Sequence, residues 1–435
     1  MTAAIAGVPT AVPVFIGYTK IAPAAPGAVR LSMLSDYVRV FGGAPDAKYA
    51  VVPGTAQDND FAVGGSFYRL ERVSLRFNLY MAICLFFANG GQDCFVVSVG
   101  DYSDPVAKQD LLDGLAVAGN TSGPTMVVVP DACLLAAPGD YGAVAVAQLA
   151  QCAALDDRVA ILDLPNALDP VGWTSAGLAA SRAAFLAAVA PAASAFDYGA
   201  AYAPALAVSV FGDDDIDMAG LQGLPGGADP GQVKALLLDK LNVATPSGAI
   251  AGICANTDTN VGVWKAPAGV VPLPATAPTV ALGDADMSTY QPNFGSAVNL
   301  IRTVANEAPV VFGSYTLNSA ADGGDQYRYL QVRRTLVYIK TSIAVALNQF
   351  VSDGNDAQTW NAAAALADAF LTTLCRQGAF ASDTLGAAFA VTCGLGATMT
   401  AQDILDGRMI MQVEVILRRP GEVAVLRIEQ AMQGS

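Results

Sequence analysis

The sequence predicts an α/β fold with a largely parallel sheet, followed by a smaller α+β unit. Strand patterns alternate with helix patterns over residues 20–265, a Pro-rich stretch interrupts them at 266–286, and two long helices and a hairpin follow. Hydrophobic residues make up 53% of the 435 residues and charged residues only 14%. This composition favours burial of surface against other subunits, or alternatively one large Ala-rich domain that buries its own surface.

The first predicted elements are a strand and a short helix. Residues 11–17 are rich in β-branched side chains up to Gly17, and Pro13 suits an edge strand because proline lacks an amide donor. Apolar positions at helical spacing predict a helix over 32–41. The Gly, Pro and Asp residues of 42–67 predict a loop.

Alternating helices and strands follow this loop. Few helix-breaking residues occur in 67–88, which predicts one long helix, and Asn89-Gly90-Gly91 ends it because these residues tolerate the left-handed conformation. Residues 94–99 are almost continuously apolar, as in a strand buried on both faces. The same alternation predicts strands at 125–131, 158–163 and 203–210 and helices at 143–154 and 176–190. Strands joined through helices run parallel, so a parallel sheet is expected.

The last third of the chain has a different pattern. Its Pro-rich start, 266–286, is expected to connect two domains. Pro420-Gly421 suits a type II turn and predicts a C-terminal hairpin. The predicted elements are a strand at 310–316, helices at 327–350 and 357–374, and hairpin strands at 409–417 and 422–430.

The residue inventory excludes several classes of enzyme. The chain has no histidine, which removes the commonest general base and any Ser-His-Asp triad. It also lacks the phosphate-loop and nucleophile-elbow motifs. Asp156, Asp157 and Asp163 flank one predicted strand, and we interpret them as structural, with Asp157 capping a helix or pairing with Arg158. We therefore predict no enzyme activity, no cofactor and no metal site.

Charge and cysteine content limit the partners. A net charge of −15 without any Lys/Arg run argues against nucleic-acid binding. The acidic run 213–217 lacks the glycine and the distal acid of a calcium loop, which favours a solvated loop. The seven cysteines form no C-x-x-C pair and have apolar neighbours, as free thiols in a reducing compartment do. No basic leader opens the chain and the apolar stretch 80–88 is short, so no direct membrane insertion is expected.

Basic side chains cluster on the predicted helix 327–350. Arg333 and Lys340 lie seven residues apart and share one face, and Arg328 and Arg334 widen this basic strip. An ordinary solvated helix face is one interpretation. The other is a docking strip for an acidic partner surface, which is informative in an acidic protein.

Several segments, in order along nearly the whole chain, resemble tail sheath proteins of contractile phages and phage-like injection particles. These segments are 7–17 (GVPTAVPVFIG), 86–91 (FFANGG), 157–165 (DRVAILDLP), 246–252 (PSGAIAG), 262–268 (GVWKAPA), 299–302 (NLIR), 327–334 (YRYLQVRR) and the C-terminal hairpin. Only six residues precede Gly7, whereas the family often has a longer arm. Phe312-Gly313-Ser314-Tyr315 stands where the family often has Trp-Gly-Ala-Arg.

The resemblance implies a domain organisation. It implies an outer α/β domain at 20–265, a connector at 266–286 and an inner, tube-facing α+β domain at 287–435. The N-terminal strand or arm, 1–19, would join the inner domain. Terminal strands from neighbouring subunits would complete the sheets of this α+β domain by β-augmentation. The side chains assigned to such inter-subunit strands are Val12, Val14, Phe15, Ile16, Val413, Val415, Val423, Val425 and Ile428.

The resemblance also implies a structural function. A sheath subunit polymerises as stacked hexameric rings around an inner tube and contracts to drive the tube through a target envelope. The residues expected to contact the tube or a neighbour are Arg328, Arg333, Arg334 and Lys340. Expected partners are other copies, the inner tube protein, baseplate and terminator or cap proteins, and sheath paralogues. Assembly is expected in the cytoplasm, within a phage tail or an extracellular or cell-anchored particle. The first alternative is a non-contractile tail or capsid assembly protein. An α/β enzyme is the less favoured alternative.

Overall fold

The structure is a computed structural model that describes residues 4–290, 297–304, 308–318, 327–417 and 423–433. The strands are β1 (Pro13–Gly17), β2 (Ala28–Leu31), β3 (Tyr49–Pro53), β4 (Phe61–Val63), β5 (Ser66–Arg72), β6 (Cys94–Ser98), β7 (Met126–Val128), β8 (Val159–Asp163), β9 (Gly199–Ala203), β10 (Leu206–Val208), β11 (Val243–Ala244), β12 (Ala275–Pro278), β13 (Val298–Thr303), β14 (Pro309–Val311), β15 (Phe389–Cys393), β16 (Arg408–Ile416) and β17 (Val423–Ala431). The helices are α1 (Leu34–Phe41), α2 (Leu79–Ala88), α3 (Lys108–Gly119), α4 (Pro138–Leu155), α5 (Ser175–Val189), α6 (Pro230–Leu241), α7 (Ser247–Asn260), α8 (Asp284–Tyr290), α9 (Leu330–Leu347), α10 (Ala357–Arg376), α11 (Leu385–Ala388) and α12 (Ala401–Leu405).

An eight-stranded sheet, with strand order β14-β13-β9-β8-β7-β1-β6-β2, is the centre of the molecule. Its inner strands run parallel, and the two outermost strands run antiparallel to their neighbours. A separate apolar core packs on each face of this large sheet. Parallel strands buried on both faces need apolar residues at every position, which is the pattern of these segments. The predicted α/β fold with a largely parallel sheet is confirmed, and several small sheets accompany it.

The N-terminal strand, β1, lies inside the large sheet and not at an edge. β1 pairs with β6 on one side and with β7 on the other, so both of its edges are occupied within its own chain. Val14, Phe15 and Ile16 are fully buried there. The edge position predicted for Pro13 is therefore wrong, whereas the assignment of 1–19 to the inner domain stays a prediction. Proline is tolerated because it is the first residue of the strand.

The large sheet also continues past the predicted domain boundary. β13 and β14 are its last strands on one side, although the sequence placed 287–435 in the second unit. Leu300 and Ile301 point to opposite faces of β13 and both are fully buried. Such two-sided burial is typical of a strand inside a parallel sheet. A distinct third core is formed only by the later elements α9, α10 and β15–β17.

Residues predicted as a loop and the start of a helix form a small antiparallel sheet with the order β3-β5-β4. Phe61 lies opposite Tyr68 in this sheet, with the two ring centroids 5.5 Å apart. Gly64 and Gly65 adopt φ values of 58° and 85° at the turn, a region that glycine enters without strain. Aromatic residues within 66–72 favour a strand. Only the second half of the predicted helix therefore forms, as α2.

The strand predicted at 203–210 is divided between two sheets. β9 ends at Ala203 and β10 begins at Leu206, because Pro204 between them lacks the amide hydrogen that would continue the ladder. β10 pairs instead with β11 and β12 in a three-stranded sheet. Of the strand predicted at 310–316, only the first two residues belong to an observed strand, β14.

The C-terminal unit consists of two long helices packed against a three-stranded antiparallel sheet, β15-β16-β17. The helices predicted at 327–350 and 357–374 are observed as α9 and α10, and the predicted hairpin strands as β16 and β17. The predicted Pro420-Gly421 turn lies outside the described residues. The helical spacing of apolar residues and the alternation in the strands were thus sufficient to locate these elements.

Candidate functional site

The large sheet has the topology with which many α/β proteins bind ligands. From β1 the chain crosses to β6 on one side and then returns to β7, β8 and β9 on the other. Where the direction reverses, a crevice forms at the carboxyl ends of the diverging strands, and this is the usual ligand site of an open α/β sheet. Here the crevice lies beyond Gly17 of β1 and Val128 of β7, so an enzyme site is expected there if one exists.

A buried carboxylate of the chain itself fills this crevice. Asp131 is fully buried. It accepts hydrogen bonds from the amides of Tyr18 at 2.8 Å, Asn78 at 2.5 Å and Leu79 at 3.1 Å. A Cβ atom at Gly17 would lie 2.5 Å from an Asp131 carboxylate oxygen, so glycine is required for this close approach. Burial raises the pKa of Asp131 to about 6, although the three amides oppose the shift.

A second buried carboxylate, Asp163, lies at the carboxyl end of β8. It accepts hydrogen bonds from the Ser247 amide at 3.0 Å and the Ser247 hydroxyl at 2.6 Å, at the start of α7. Burial raises the pKa of Asp163 to about 6, and the hydrogen bonds from Ser247 and Thr245 act in the opposite direction. Asp157 pairs with Arg158 at 2.6 Å. These carboxylates thus anchor helices and neighbouring side chains of their own chain.

The acidic run, the possible metal ligands and the apolar helical stretch of the chain form no further site among the described residues. The acidic run 213–217 lies on the surface, and its first three residues form a short 3₁₀ turn. Within the part of the chain that the structure describes, no three Cys, Asp or Glu side chains are arranged to hold a metal ion. One helical stretch, 175–198, is long and apolar enough to cross a membrane by length and composition, which is weak support for a span.

The two arginines of the basic strip that lie on α9, Arg333 and Arg334, are buried, and Lys340 is partly exposed. Arg333 is ion-paired with Asp197 and lies between two aromatic rings, 4.1 Å from the centroid of Tyr198 and 4.0 Å from that of Tyr327. Its desolvation lowers the pKa of the Arg333 guanidinium to about 10. Stacking on both faces and one ion pair compensate part of this cost.

The next two cations of the strip also bind their own chain. Arg334 donates to both Asp258 carboxylate oxygens, one of them at 3.1 Å, and to the Thr10 carbonyl at 3.0 Å. The side chains of this pair are only 2% and 5% exposed, so it is desolvated. Lys340 is ion-paired with Asp156. Arg334 therefore ties together α9, α7 and the N-terminal segment.

The three aspartates that receive these cations form an acidic socket, defined here as Asp156, Asp197 and Asp258. Each lies at or near the carboxyl end of a helical segment: α4, the 3₁₀ stretch Ala190–Tyr198 and α7. Helix carboxyl ends carry partial negative charge, which adds to the attraction for cations. The α9 cations are the complement of this socket.

Two members of the predicted docking strip are largely buried within their own chain, where Arg333 is 7% and Arg334 3% exposed, and their contact with a tube or a neighbour stays a prediction. Arg328 lies with its guanidinium carbon 5.4 Å from the Tyr315 ring centroid, and its contact with a tube or a neighbour stays a prediction, as does that of Lys340. The socket aspartates were not identified because no local spacing links them to α9.

The C-terminal sheet has an open edge. β17 is one of its two edge strands, and no strand within the described part of the chain pairs with its outer side. The Met432 amide donates to the Gly407 carbonyl at 2.7 Å. In an antiparallel pair every second residue of a strand donates its amide to the facing strand, and the residues between them point their amides the other way. By that alternation the amides of Val425, Arg427 and Glu429 point away from β16.

The predicted inter-subunit residues fall into two groups. The first group is paired and buried within the large sheet or next to it: Val12, Val14, Phe15 and Ile16. The second group belongs to the C-terminal sheet, where Val413, Val415 and Ile428 face the third core and Val425 is 52% exposed. Val423 pairs through its backbone with Ile416. Only the second group lies next to an open edge.

Comparison with solved structures places this arrangement among sheath folds. The chain is similar to a chain of the contracted helical sheath of the anti-feeding prophage, with a TM-score of 0.63 and 24% identity over 98% of this chain and 94% of that one. It is equally similar to a chain of the contracted PVC sheath complex of an extracellular contractile injection system, with a TM-score of 0.63 and 22% identity over 99% and 93%. A sheath tail protein of Listeria innocua gives a TM-score of 0.55 and 11% identity over 99% and 97%.

No protein-family model matches the sequence, and no curated protein does. The fold is nevertheless shared along nearly the whole length of both partners in each structural comparison. The resemblance that the sequence segments carried is therefore confirmed at the level of the fold: this chain has the fold of contractile tail sheath proteins.

Proposed function

We propose that the chain is a structural sheath subunit of a contractile injection particle. The observation that carries this proposal is the sheath fold, which extends over 98% of the chain in the comparison with the anti-feeding prophage sheath. In this proposal the subunits form hexameric rings that stack helically around an inner tube, and contraction drives the tube through a target envelope. The subunit contributes contacts and rigidity, and catalyses nothing. The filled ligand crevice at Asp131 supports this part of the proposal.

The open edge of β17 is the proposed connection between rings. An extended segment of a neighbouring copy adds to this edge by backbone hydrogen bonds, with Val425, Arg427 and Glu429 supplying amides and carbonyls. Backbone pairing holds two subunits together while their relative orientation changes, because it depends little on side-chain packing. The N-terminal strand has no part in this connection, since both edges of β1 are occupied.

The acidic socket has a mechanical role in this proposal. It joins the C-terminal unit, which carries the connection between rings, to the large sheet. A desolvated ion pair such as Arg334–Asp258 is costly to break, because each partner would be left buried and uncompensated. Force applied to β17 is thus transmitted to the whole subunit.

The proposed partners are other copies, an inner tube protein, baseplate proteins, a terminator or cap protein and sheath paralogues. Assembly takes place in the cytoplasm, and the assembled particle is a phage tail or an extracellular or cell-anchored machine. Buried cysteine thiols fit a reducing site of assembly.

Negative-stain electron microscopy tests the function directly. The chain is produced together with a candidate inner tube protein, and the particles are imaged before and after a contraction trigger such as mild denaturant. Striated tubes that become shorter and wider are expected. Smooth tubes of constant length would indicate a non-contractile tail protein, closed shells would indicate a capsid protein, and a persistent monomer would overturn the proposal.

A further inference from the structure

A groove of about 480 Å³ lies where the large sheet, α9 and the C-terminal sheet meet. Its walls include the aromatic side chains of Trp264, Phe312, Tyr315 and Tyr329, and Leu417 at the end of β16 closes one side. Part of its floor is polar, since the Ser314 hydroxyl donates to the Gln331 side chain at 2.9 Å. A segment bound in the groove would contact both units of the subunit at once.

Three cations lie near these aromatic walls. Lys265 lines the groove and is exposed. The Arg302 guanidinium lies 4.0 Å from the Phe312 ring centroid, and that of Arg328 lies 5.4 Å from the Tyr315 centroid. The Arg302 side chain is only 9% exposed and is ion-paired with Asp284, so Arg302 offers little charge to a ligand. Among the residues that the structure describes, none forms an ion pair with Lys265 within 4 Å.

This combination is unusual for the chain as a whole. The net charge is −15. Among the described residues that line the groove, Lys265 is the one charged side chain, so the groove has the opposite sign to the chain as a whole. An exposed lysine beside aromatic walls fits a carboxylate that is followed by apolar or backbone groups. Small-molecule pockets of this size are usually enclosed, whereas this groove is formed between units and opens to solvent.

We propose that the groove binds an extended acidic segment of a second copy of this chain. The proposal rests on the proposed function, because a homopolymer brings identical surfaces into repeated contact. A chain with a net charge of −15 presents mostly carboxylates to its neighbour. The Lys265 groove is the surface that complements them, and like charge would otherwise oppose stacking. The contact is distinct from strand addition at β17, since it uses side chains and not a sheet edge.

Site-specific photo-crosslinking identifies the occupant. The native cysteines are buried or half-buried, and burial raises the pKa of the Cys84, Cys254 and Cys393 thiols to about 11, so they react slowly with maleimides. The single substitution Ala268→Cys places a reactive thiol in the groove wall. Labelling it with a benzophenone maleimide and irradiating the polymer is expected to give a covalent dimer of the chain. Mass spectrometry is expected to find an Asp- or Glu-containing peptide of the second copy at the crosslink.

A charge reversal measures what the contact contributes. Lys265→Glu is expected to raise the critical concentration for polymerisation at least about tenfold in low salt, with a smaller effect in high salt. The matched control is Lys48→Glu, which reverses an exposed lysine outside the groove and is expected to change the critical concentration less than about twofold. Thermal unfolding of both monomers checks that the fold is unchanged.

The outcomes separate this inference from the proposed function. If the wild type forms contractile tubes and Lys265→Glu polymerises as the wild type does, the inference fails and the proposed function stands. A crosslink to the inner tube protein, or an attached peptide without acidic residues, also overturns it. If the wild type forms no polymer and no self-crosslink, both proposals fail together.

Discussion

The two main sheets of this molecule differ in how completely their hydrogen-bonding groups are satisfied within the chain. In the large sheet β1 has partners on both sides, and the edge strand β14 exchanges backbone hydrogen bonds of 2.8 and 2.9 Å with residues 269 and 270. Its ligand crevice is filled by Asp131. In the C-terminal sheet β17 leaves a row of amides and carbonyls without a strand partner among the described residues.

This difference indicates which surface of the chain is suited to binding another molecule. An exposed strand edge is a template for pairing with a second chain, and proteins that stay monomeric cover or shorten such edges. The nine residues of β17 are neither short nor interrupted by proline. The large sheet also ends in an edge strand without a described strand partner on its outer side, but that strand, β2, has only four residues. The longer open edge thus belongs to the C-terminal sheet, and the acidic socket joins the two regions.

The largest effect is expected at the joint between the two regions. Arg334→Ala leaves Asp258 buried without its cation and is expected to lower the free energy of unfolding by about 3–5 kcal/mol. Urea denaturation measures it. The control is Arg39→Ala, which removes an exposed ion pair with Asp36 and should cost less than about 1 kcal/mol. The double substitution Arg334→Met with Asp258→Leu should recover most of the loss, because no charge then remains buried. Equal losses for Arg334→Ala and Arg39→Ala would contradict the proposed role of the socket.

The filled crevice gives the next largest effect. Asp131→Ala deprives three buried amides of their acceptor and is expected to cost about 3 kcal/mol, measured by urea denaturation. Asp140→Ala removes a half-exposed pair with Lys108 and serves as the control, with a cost below about 1 kcal/mol. A stable Asp131→Ala protein that instead gains affinity for small anions would mean that the crevice is a ligand site after all.

The pH dependence of stability is expected to arise from buried carboxyl groups of the large sheet. Burial raises the pKa values of Asp131 and Asp163, both in the large sheet, to about 6 from the ordinary value of 3.8. The folded state thus holds these protons more tightly than the unfolded state. Their contribution to stability is present below about pH 4 and is lost as the pH rises through about 6. Denaturation at several pH values should show this decline, and Asp163→Asn should reduce its slope. An unchanged slope in Asp163→Asn would assign the decline to other groups.

The smallest effect on the monomer is expected at β17, together with a large effect on assembly. Val425→Pro removes an amide that points away from β16, so the internal ladder survives and the stability of the monomer falls by less than about 1 kcal/mol. Strand addition loses that donor, and fewer or no tubes are expected by negative-stain microscopy. Val425→Ala keeps the amide and is the matched control, with tubes expected. Normal tubes from Val425→Pro would exclude this edge as the connection.

The elements that the sequence located best are those with a strong local pattern. α9, α10 and the hairpin strands have apolar spacing of one clear period, and Asn89-Gly90-Gly91 correctly ends α2. Residues 66–72 were misassigned because a short run of aromatic and charged residues is compatible with both periods. Pro13 was wrongly expected at an edge, because proline is typical of edge strands but is also tolerated as the first residue of an inner strand.

The candidate site was less predictable than the fold. Arg333, Arg334 and Lys340 were correctly grouped on one helix, but their side was assigned to solvent or a partner. Their acceptors, Asp156, Asp197 and Asp258, lie far from α9 in the sequence. Asp131 is likewise far in the sequence from the residues whose amides donate to it. Spacing along one helix contains no information about such partners.

By itself the sequence determined the class of fold, six of the twelve helices in the described residues and the absence of histidine chemistry, because these follow from composition and from periodicity over a few turns. Only the tertiary structure decided that Asp131 fills the crevice, that Arg333 and Arg334 are buried, and that the outer edge of β17 has no strand partner among the described residues. Each of these depends on which distant segments meet, and burial there changes the energetics: a charge that costs little in water must find a partner once it is desolvated.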